Sequence, residues 1–168
     1  MNRSRRAIVA FGANQGDPLG NILKALGRLK DFYSQIAVSS VFRTKAVGGP
    51  IGQPDFLNGV VIYSVNDSPI QTMNKLLAIE TELGRVRREK WGPRTIDLDL
   101  IDYEGVVLNE SDLVLPHPRI AERSFVLLPL AEIAPSWTHP ITGLSPREMI
   151  DRLSDDDKAV ILRREELP

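Results

Sequence analysis

Phe56-Leu-Asn-Gly-Val-Val-Ile-Tyr-Ser64, followed by Ser68-Pro69 and a helical pattern that stops at Gly84, is the stretch that decides the fold. An apolar run of this length, bounded by turn residues, reads as a buried strand. Ser68 caps free helix amides and Pro69 suits the first helical position, so a helix starts there. Ile70, Met73, Leu76, Leu77 and Leu83 recur at helical spacing before Gly84 ends the helix. Upstream the same signals repeat. Ala7 to Phe11 reads as a strand stopped by Gly12, and Asp17-Pro18 opens a helix with Leu19, Ile22, Leu23, Leu26, Leu29 and Tyr33 on one face. Ile36 to Phe42 reads as the next strand, and Thr95 to Ile101 as the strand after the second helix. The order β-α-β-β-α-β predicts an α+β fold, a ferredoxin-like sandwich with a mostly antiparallel sheet. Val106 to Leu108 and Leu113 to Leu115 predict an added hairpin, and Phe125 to Leu130 is an apolar segment. Ser145-Pro146 with Glu148 predicts a short last helix through a capping box. No repeat or linker divides the chain, so residues 1–168 are expected to form one domain.

The chain has 168 residues, no Cys and two His, His117 and His139. Those counts exclude a disulfide framework, a thiolate zinc site, a cysteine nucleophile and a three-histidine metal site. A net charge of -1 with 42% hydrophobic residues describes a folded, soluble chain without a generally DNA-coating surface. Fifteen of the 21 basic residues are Arg, the planar bidentate donor that suits phosphate and carboxylate. The apolar run after Arg6 is five residues long, short of a signal peptide or a membrane span, so a cytoplasmic protein is expected. Arg43 to Asp55 is a thirteen-residue loop rich in Gly and Pro, and loops of that length are often lids or binding loops.

Charge is organised most sharply between Arg85 and Glu104. Arg85, Arg87, Arg88, Lys90 and Arg94 stand against the single Glu89, and Asp97, Asp99, Asp102 and Glu104 follow at once. Thr95 to Leu100 alternates with period two, which puts Asp97 and Asp99 on one strand face with Cα atoms ~6.6 Å apart. Asp disfavours strands, so two in an otherwise apolar strand call for a compensating cation. Carboxylates so placed can converge on one or two hard cations, and magnesium favours a few carboxylates completed by water and substrate phosphates. Neither G-x-x-x-x-G-K-[ST] nor G-x-G-x-x-G occurs, so a phosphate grip has to come from the metal and the Arg residues.

Gly84-Arg-Val-Arg87 and Trp91-Gly-Pro-Arg-Thr-Ile-Asp-Leu-Asp99 resemble the signature of the 6-hydroxymethyl-7,8-dihydropterin pyrophosphokinase family. Phe11-Gly-Ala-Asn14, Pro54-Asp-Phe-Leu-Asn58, Leu115-Pro-His-Pro118 and Arg123-Ser-Phe125 match in the same order. The resemblance implies transfer of pyrophosphate from ATP to the hydroxymethyl group of a reduced pterin, releasing AMP, in folate synthesis. It implies two magnesium ions held by Asp97 and Asp99, with Arg85 and Arg94 acting beside them in catalysis. It places Arg85, Arg87, Lys90, Arg94, Leu100, His117 and Arg123 on ATP. Thr44, Phe56, Asn58, Trp91, Asp97, Arg123 and Phe125 would meet the pterin, with Phe56 and Phe125 sandwiching it and Asn58 reading its amide edge. Lys45 departs from the family pattern, standing where Pro is common.

Two other classes fit parts of the pattern. A two-metal nucleotidyl transferase or nuclease also wants Asp-x-Asp beside Arg. A ferredoxin-like nucleic-acid-binding module would carry aromatics on its sheet, but here the basic charge is confined to one loop against carboxylates that repel a phosphate backbone. The expected partners are therefore small molecules, ATP and a reduced pterin, with no nucleic acid or membrane, acting on a monomer.

Overall fold

The computed structural model describes residues 3–47, 49–84 and 95–168. Strand β1 (Arg5–Ala13) is buried from Ala7 onward and runs through the middle of the sheet. Helix α1 (Pro18–Lys30) starts where the Asp17 carboxylate accepts the Gly20 N–H at 3.1 Å, and it buries Ile22, Ala25, Leu26 and Leu29. Leu23, expected on that face, is 40% exposed. Strands β2 (Ser34–Val38) and β3 (Val41–Thr44) precede β4 (Phe56–Val65). Helix α2 (Pro69–Glu82) carries a full capping box between Ser68 and Gln71, and Gly84 beyond it takes a φ of 85° that glycine adopts without strain. Strand β5 (Asp97–Tyr103) follows, then the hairpin β6 (Leu108–Asn109) and β7 (Val114–Leu115). Helices α3 (Ser124–Ile133), α4 (Pro146–Asp151) and α5 (Asp155–Ala159) lead to a last strand, β8 (Ile161–Glu165).

Among the described residues the sheet order is β5-β1-β4-β3-β8, with β2 also on β4, and every pairing is antiparallel. Pleat alternation gives each face its own core. Val9, Phe11, Val61, Tyr63 and Leu98 pack with α1 and α2, while Ile8, Ala10, Val60, Ile62 and Ile101 pack with α3 and α4. The ferredoxin-like reading holds, with a layer added on the second face.

Three expectations change. Ile36 to Phe42 is two strands, because the ladder is interrupted at Ser39 and Ser40. The Ser39 hydroxyl accepts the Val60 N–H at 2.9 Å and donates to the Ser40 carbonyl, and the Ser40 N–H goes to Glu132 of α3. The apolar segment at Phe125 is part of helix α3. The capped helix α4 is not the last element, since α5 and β8 follow it and β8 pairs with β3. Its sequence reads as a solvated run because an edge strand needs little apolar surface. Arg43 on β3 meets Glu165 on β8 at 3.3 Å, and Arg164 meets Glu132 at 3.6 Å.

Candidate active site

Leu98 and Leu100 are buried against α1 and α2, which forces Asp97 and Asp99 onto the opposite face of β5. Register then fixes their neighbours. Gly12 on β1 pairs with Asp97 on one side and Asn58 on the other, Ala10 pairs with Asp99, and Phe42 pairs with Asn58. At ~4.8 Å per strand, the Asp97 carboxylate and the Asn58 amide stand about two strand spacings apart with a glycine between them. The glycine is required. A Cβ at Gly12 would lie 2.4 Å from Asn58 Oδ1. The other end of that amide is fixed too, since Asn58 Nδ2 donates to Thr44 Oγ1 at 2.8 Å and Thr44 is buried. Gly12→Ala is therefore expected to displace the Asn58 amide and, for the pterin that the family resemblance implies, to weaken binding about tenfold, with affinity for the implied ATP retained, as calorimetry on the two ligands would show.

Two buried polar side chains hold this floor. Glu80 of α2 is 2% exposed and accepts the Leu98 N–H at 2.8 Å, so it grips β5 at the residue between the two aspartates. Asn14, just past β1, donates to Gln53 Oε1 at 2.9 Å and the Pro54 carbonyl at 3.0 Å, tying down the approach to Phe56. Neither was assigned a role from the sequence, although Asn14 closes the Phe11-Gly-Ala-Asn14 match. The one signal for Glu80 is its place four residues after Leu76 on the buried helix face.

A cavity of about 450 Å³ lies over this face of the sheet. Asp97 and Asp99 line it at one side, with His117, Arg119 and Arg123 above them. Thr44, Phe56 and Asn58 line the other side, and Phe125 enters from the first turn of α3. The cavity thus brings together Thr44, Phe56, Asn58, Asp97, Asp99, His117, Arg123 and Phe125. Leu100 is not among them, because its side chain faces the core under the sheet. Arg85, Arg87, Lys90, Trp91 and Arg94 lie outside the described residues. Lys45 and Ser124 also line the cavity, as do Arg119, Asp157 and Val160, which sequence reasoning had not singled out.

The electrostatics separate the two sides. Arg123 Nη1 lies 3.7 Å from Asp99 Oδ2, and its guanidinium sits 5.7 Å from the centre of the Phe125 ring. Burial lowers the Arg123 pKa from its ordinary value, and Asp99 opposes that. Burial also pushes the His117 ring down to about 4, with Arg123 acting the same way and Asp97 against it. The Arg119 N–H donates to His117 Nδ1 at 3.2 Å, so the neutral ring carries its proton on Nε2 and offers a donor. Between pH 6.5 and about 4 the unfolded chain protonates this ring and the folded chain does not, so this contribution to stability is lost as pH falls through that window. NMR titration of the free protein should give a His117 midpoint near 4, and His117→Gln should flatten the fall in melting temperature. A midpoint at the ordinary ~6.5 would contradict the half-buried neutral ring.

The donor set suits a hard cation. Asp97 and Asp99 offer carboxylate oxygens from adjacent same-face positions, and among the described residues no group of three or more His, Cys, Asp or Glu forms a full protein cage. A carboxylate pair whose remaining positions are left to water and phosphate oxygens fits magnesium.

The family model described as 7,8-dihydro-6-hydroxymethylpterin-pyrophosphokinase (HPPK) matches residues 8–135. The chain belongs to this family. A 2-amino-4-hydroxy-6-hydroxymethyldihydropteridine pyrophosphokinase of Synechocystis sp. is 45% identical over 150 residues, covering 88% of this chain and 75% of that protein. A protein of the same name from Aquifex aeolicus is 38% identical over 133 residues, covering 79% and 82%. Among solved structures, a Plasmodium falciparum HPPK-DHPS protein superposes with a TM-score of 0.72 at 13% identity, over 90% of this chain and 42% of that one. That likeness concerns the fold, and this chain spans less than half of that structure's chain. The HPPK match covers β1 through α3, and therefore every described residue expected to meet ATP, metal or pterin. It ends before α4, α5 and β8.

Proposed function

We propose that this chain transfers a pyrophosphoryl group from ATP to the hydroxymethyl oxygen of 6-hydroxymethyl-7,8-dihydropterin, releasing AMP, in folate synthesis. The observation that carries it is one cavity with a carboxylate pair and the half-buried Arg123 guanidinium at one side, and two aromatics and a fixed amide at the other. The hydroxymethyl oxygen bonds the β-phosphorus, the bond from that phosphorus to the oxygen bridging it to the α-phosphorus breaks, AMP leaves with the electron pair, and the hydroxyl proton is released. Phosphoryl chemistry of this kind needs positioning and charge neutralisation more than a protein nucleophile.

Asp97 and Asp99 would hold two magnesium ions, which neutralise the phosphate oxygens and align donor and acceptor when bound. Arg123 and the Nε2 donor of His117 face the phosphates, and the family resemblance implies that Arg85, Arg87, Lys90 and Arg94 would bind them as well. Phe56 and Phe125 cover the faces of the bicyclic ring, and the family resemblance implies that Trp91 would meet it too. Asn58, held by Thr44, presents a donor and an acceptor to the ring's amide edge. The whole span 1–168 acts as one monomeric, cytoplasmic unit. No helix among the described residues is long and apolar enough to cross a membrane. Mixing protein, ATP, magnesium and the reduced pterin tests the reaction. AMP accumulation is expected; ADP would indicate an ordinary kinase, and neither nucleotide would sink the proposal.

A further inference from the structure

The cavity has a wall that no expected site residue supplies. Asp157 in the middle of α5 and Val160, just before β8, both line it, and both lie beyond the span matched by the family model. Each is fixed through its backbone carbonyl to a different side of the cavity. The Ser124 hydroxyl, buried at the start of α3 beside Arg123 and Phe125, donates to the Asp157 carbonyl at 2.6 Å. The Lys45 N–H donates to the Val160 carbonyl at 2.8 Å, one residue after Thr44, the partner of Asn58. Strand β8 then continues the attachment along β3 through Val41, Phe42 and Arg43.

We infer that the α5–β8 segment is a positioning wall of the pterin side of the cavity, an inference that rests on the proposed function. It bridges the element carrying Phe125 to the element carrying Thr44, so it sets how far apart the aromatic ring and the amide-reading pair stand. A flat bicyclic ring is held well only when that spacing is fixed before it arrives, because ordering the walls afterwards subtracts from affinity. The carboxylate side of the cavity belongs to β5, on the far side of β1 and β4, and does not depend on this bridge.

Lys45 has a specific part here. Its backbone N–H makes one of the two attachments, and proline in its place has no N–H to donate. Ser124 has the other part, and threonine in its place keeps the hydroxyl.

The test measures binding of a nonhydrolysable ATP analogue with magnesium, and then of the reduced hydroxymethylpterin to the nucleotide-loaded protein. The proteins are wild type, Ser124→Ala, Ser124→Thr and Lys45→Pro, with thermal melts alongside. Ser124→Ala and Lys45→Pro should each weaken pterin binding about tenfold. Nucleotide binding should stay within about twofold, and Ser124→Thr should recover most of the loss. Pterin binding unchanged in folded Ser124→Ala or Lys45→Pro overturns the wall, as does an equal loss for both ligands, which would mark a general brace. Should Ser124→Ala fail to fold, Lys45→Pro decides by itself. Failure of the wild type to bind the pterin at all would strike the proposed function itself and the wall with it, an outcome distinct from variants that match a binding wild type.

Discussion

Asp97→Ala or Asp99→Ala is expected to leave the sheet folded and to cut turnover by about a thousandfold or more. The fold survives because β5 is held from its other face, by Leu98 and Leu100 in the core and by Glu80 on the Leu98 amide. Turnover does not, because no other described carboxylate lines that side of the cavity in register with Gly12 and Ala10. The Arg123 contact to Asp99, at 3.7 Å between partly exposed groups, is too long and too solvated to offset much if it is lost. Without magnesium the two carboxylates repel each other, so the variants should melt no lower than wild type in a chelator. The measurement is AMP release at saturating ATP and pterin, with circular dichroism on the same samples. Activity within about tenfold of wild type would falsify the assignment of the pair to the metal.

The parts of the fold that could be read in advance are those set by local chemistry. Asp17, Ser68 and Ser145 each cap a helix in the structure as their neighbours suggest, because the cap is a bond between residues three apart. The alternation of Asp97, Leu98, Asp99 and Leu100 was legible because one face of that strand is core, and a period of two leaves no other arrangement. Where the deciding bond is long-range, the sequence is silent. The break between β2 and β3 depends on Ser39 meeting Val60 and on Ser40 meeting Glu132. Strand β8 exists because β3 offers it an edge, and its charged run gives no sign of that. Of the site, Phe56 and Asn58 share a face as their spacing requires. The Ser124–Asp157 bond could not be anticipated, and Glu80 looks like any helical glutamate until α2 is packed beneath β5. Leu100 shows the reverse limit. The likeness points to its position, and because the pleat turns the side chain into the core, contact with ATP there would fall to the Leu100 backbone.

Phe56→Ala should weaken pterin binding by about 1–3 kcal/mol, the usual worth of one aromatic face stacked on a base, and leave ATP affinity almost unchanged. Phe56 is half-buried at the start of β4, on the same face as Asn58, and it lines the cavity together with the half-buried Phe125. Two aromatic side chains left partly open to one cavity expose apolar surface that a flat ring would cover. The phosphate side depends on β5, two strands from β4 across β1, so truncating Phe56 removes no group there. Its neighbour supplies the control. Leu57 is 4% exposed in the core on the other face, and Leu57→Ala should cost ~2–5 kcal/mol of stability through the void it leaves. Phe56→Ala should cost distinctly less stability than that, because much of its ring is not enclosed by protein. Titrating pterin and nucleotide into Phe56→Ala, with urea unfolding of both variants, separates a stacking surface from a core residue. Equal losses for the two ligands, or a stability loss matching that of Leu57→Ala, would put Phe56 in the core and leave the ring stacked on Phe125 alone.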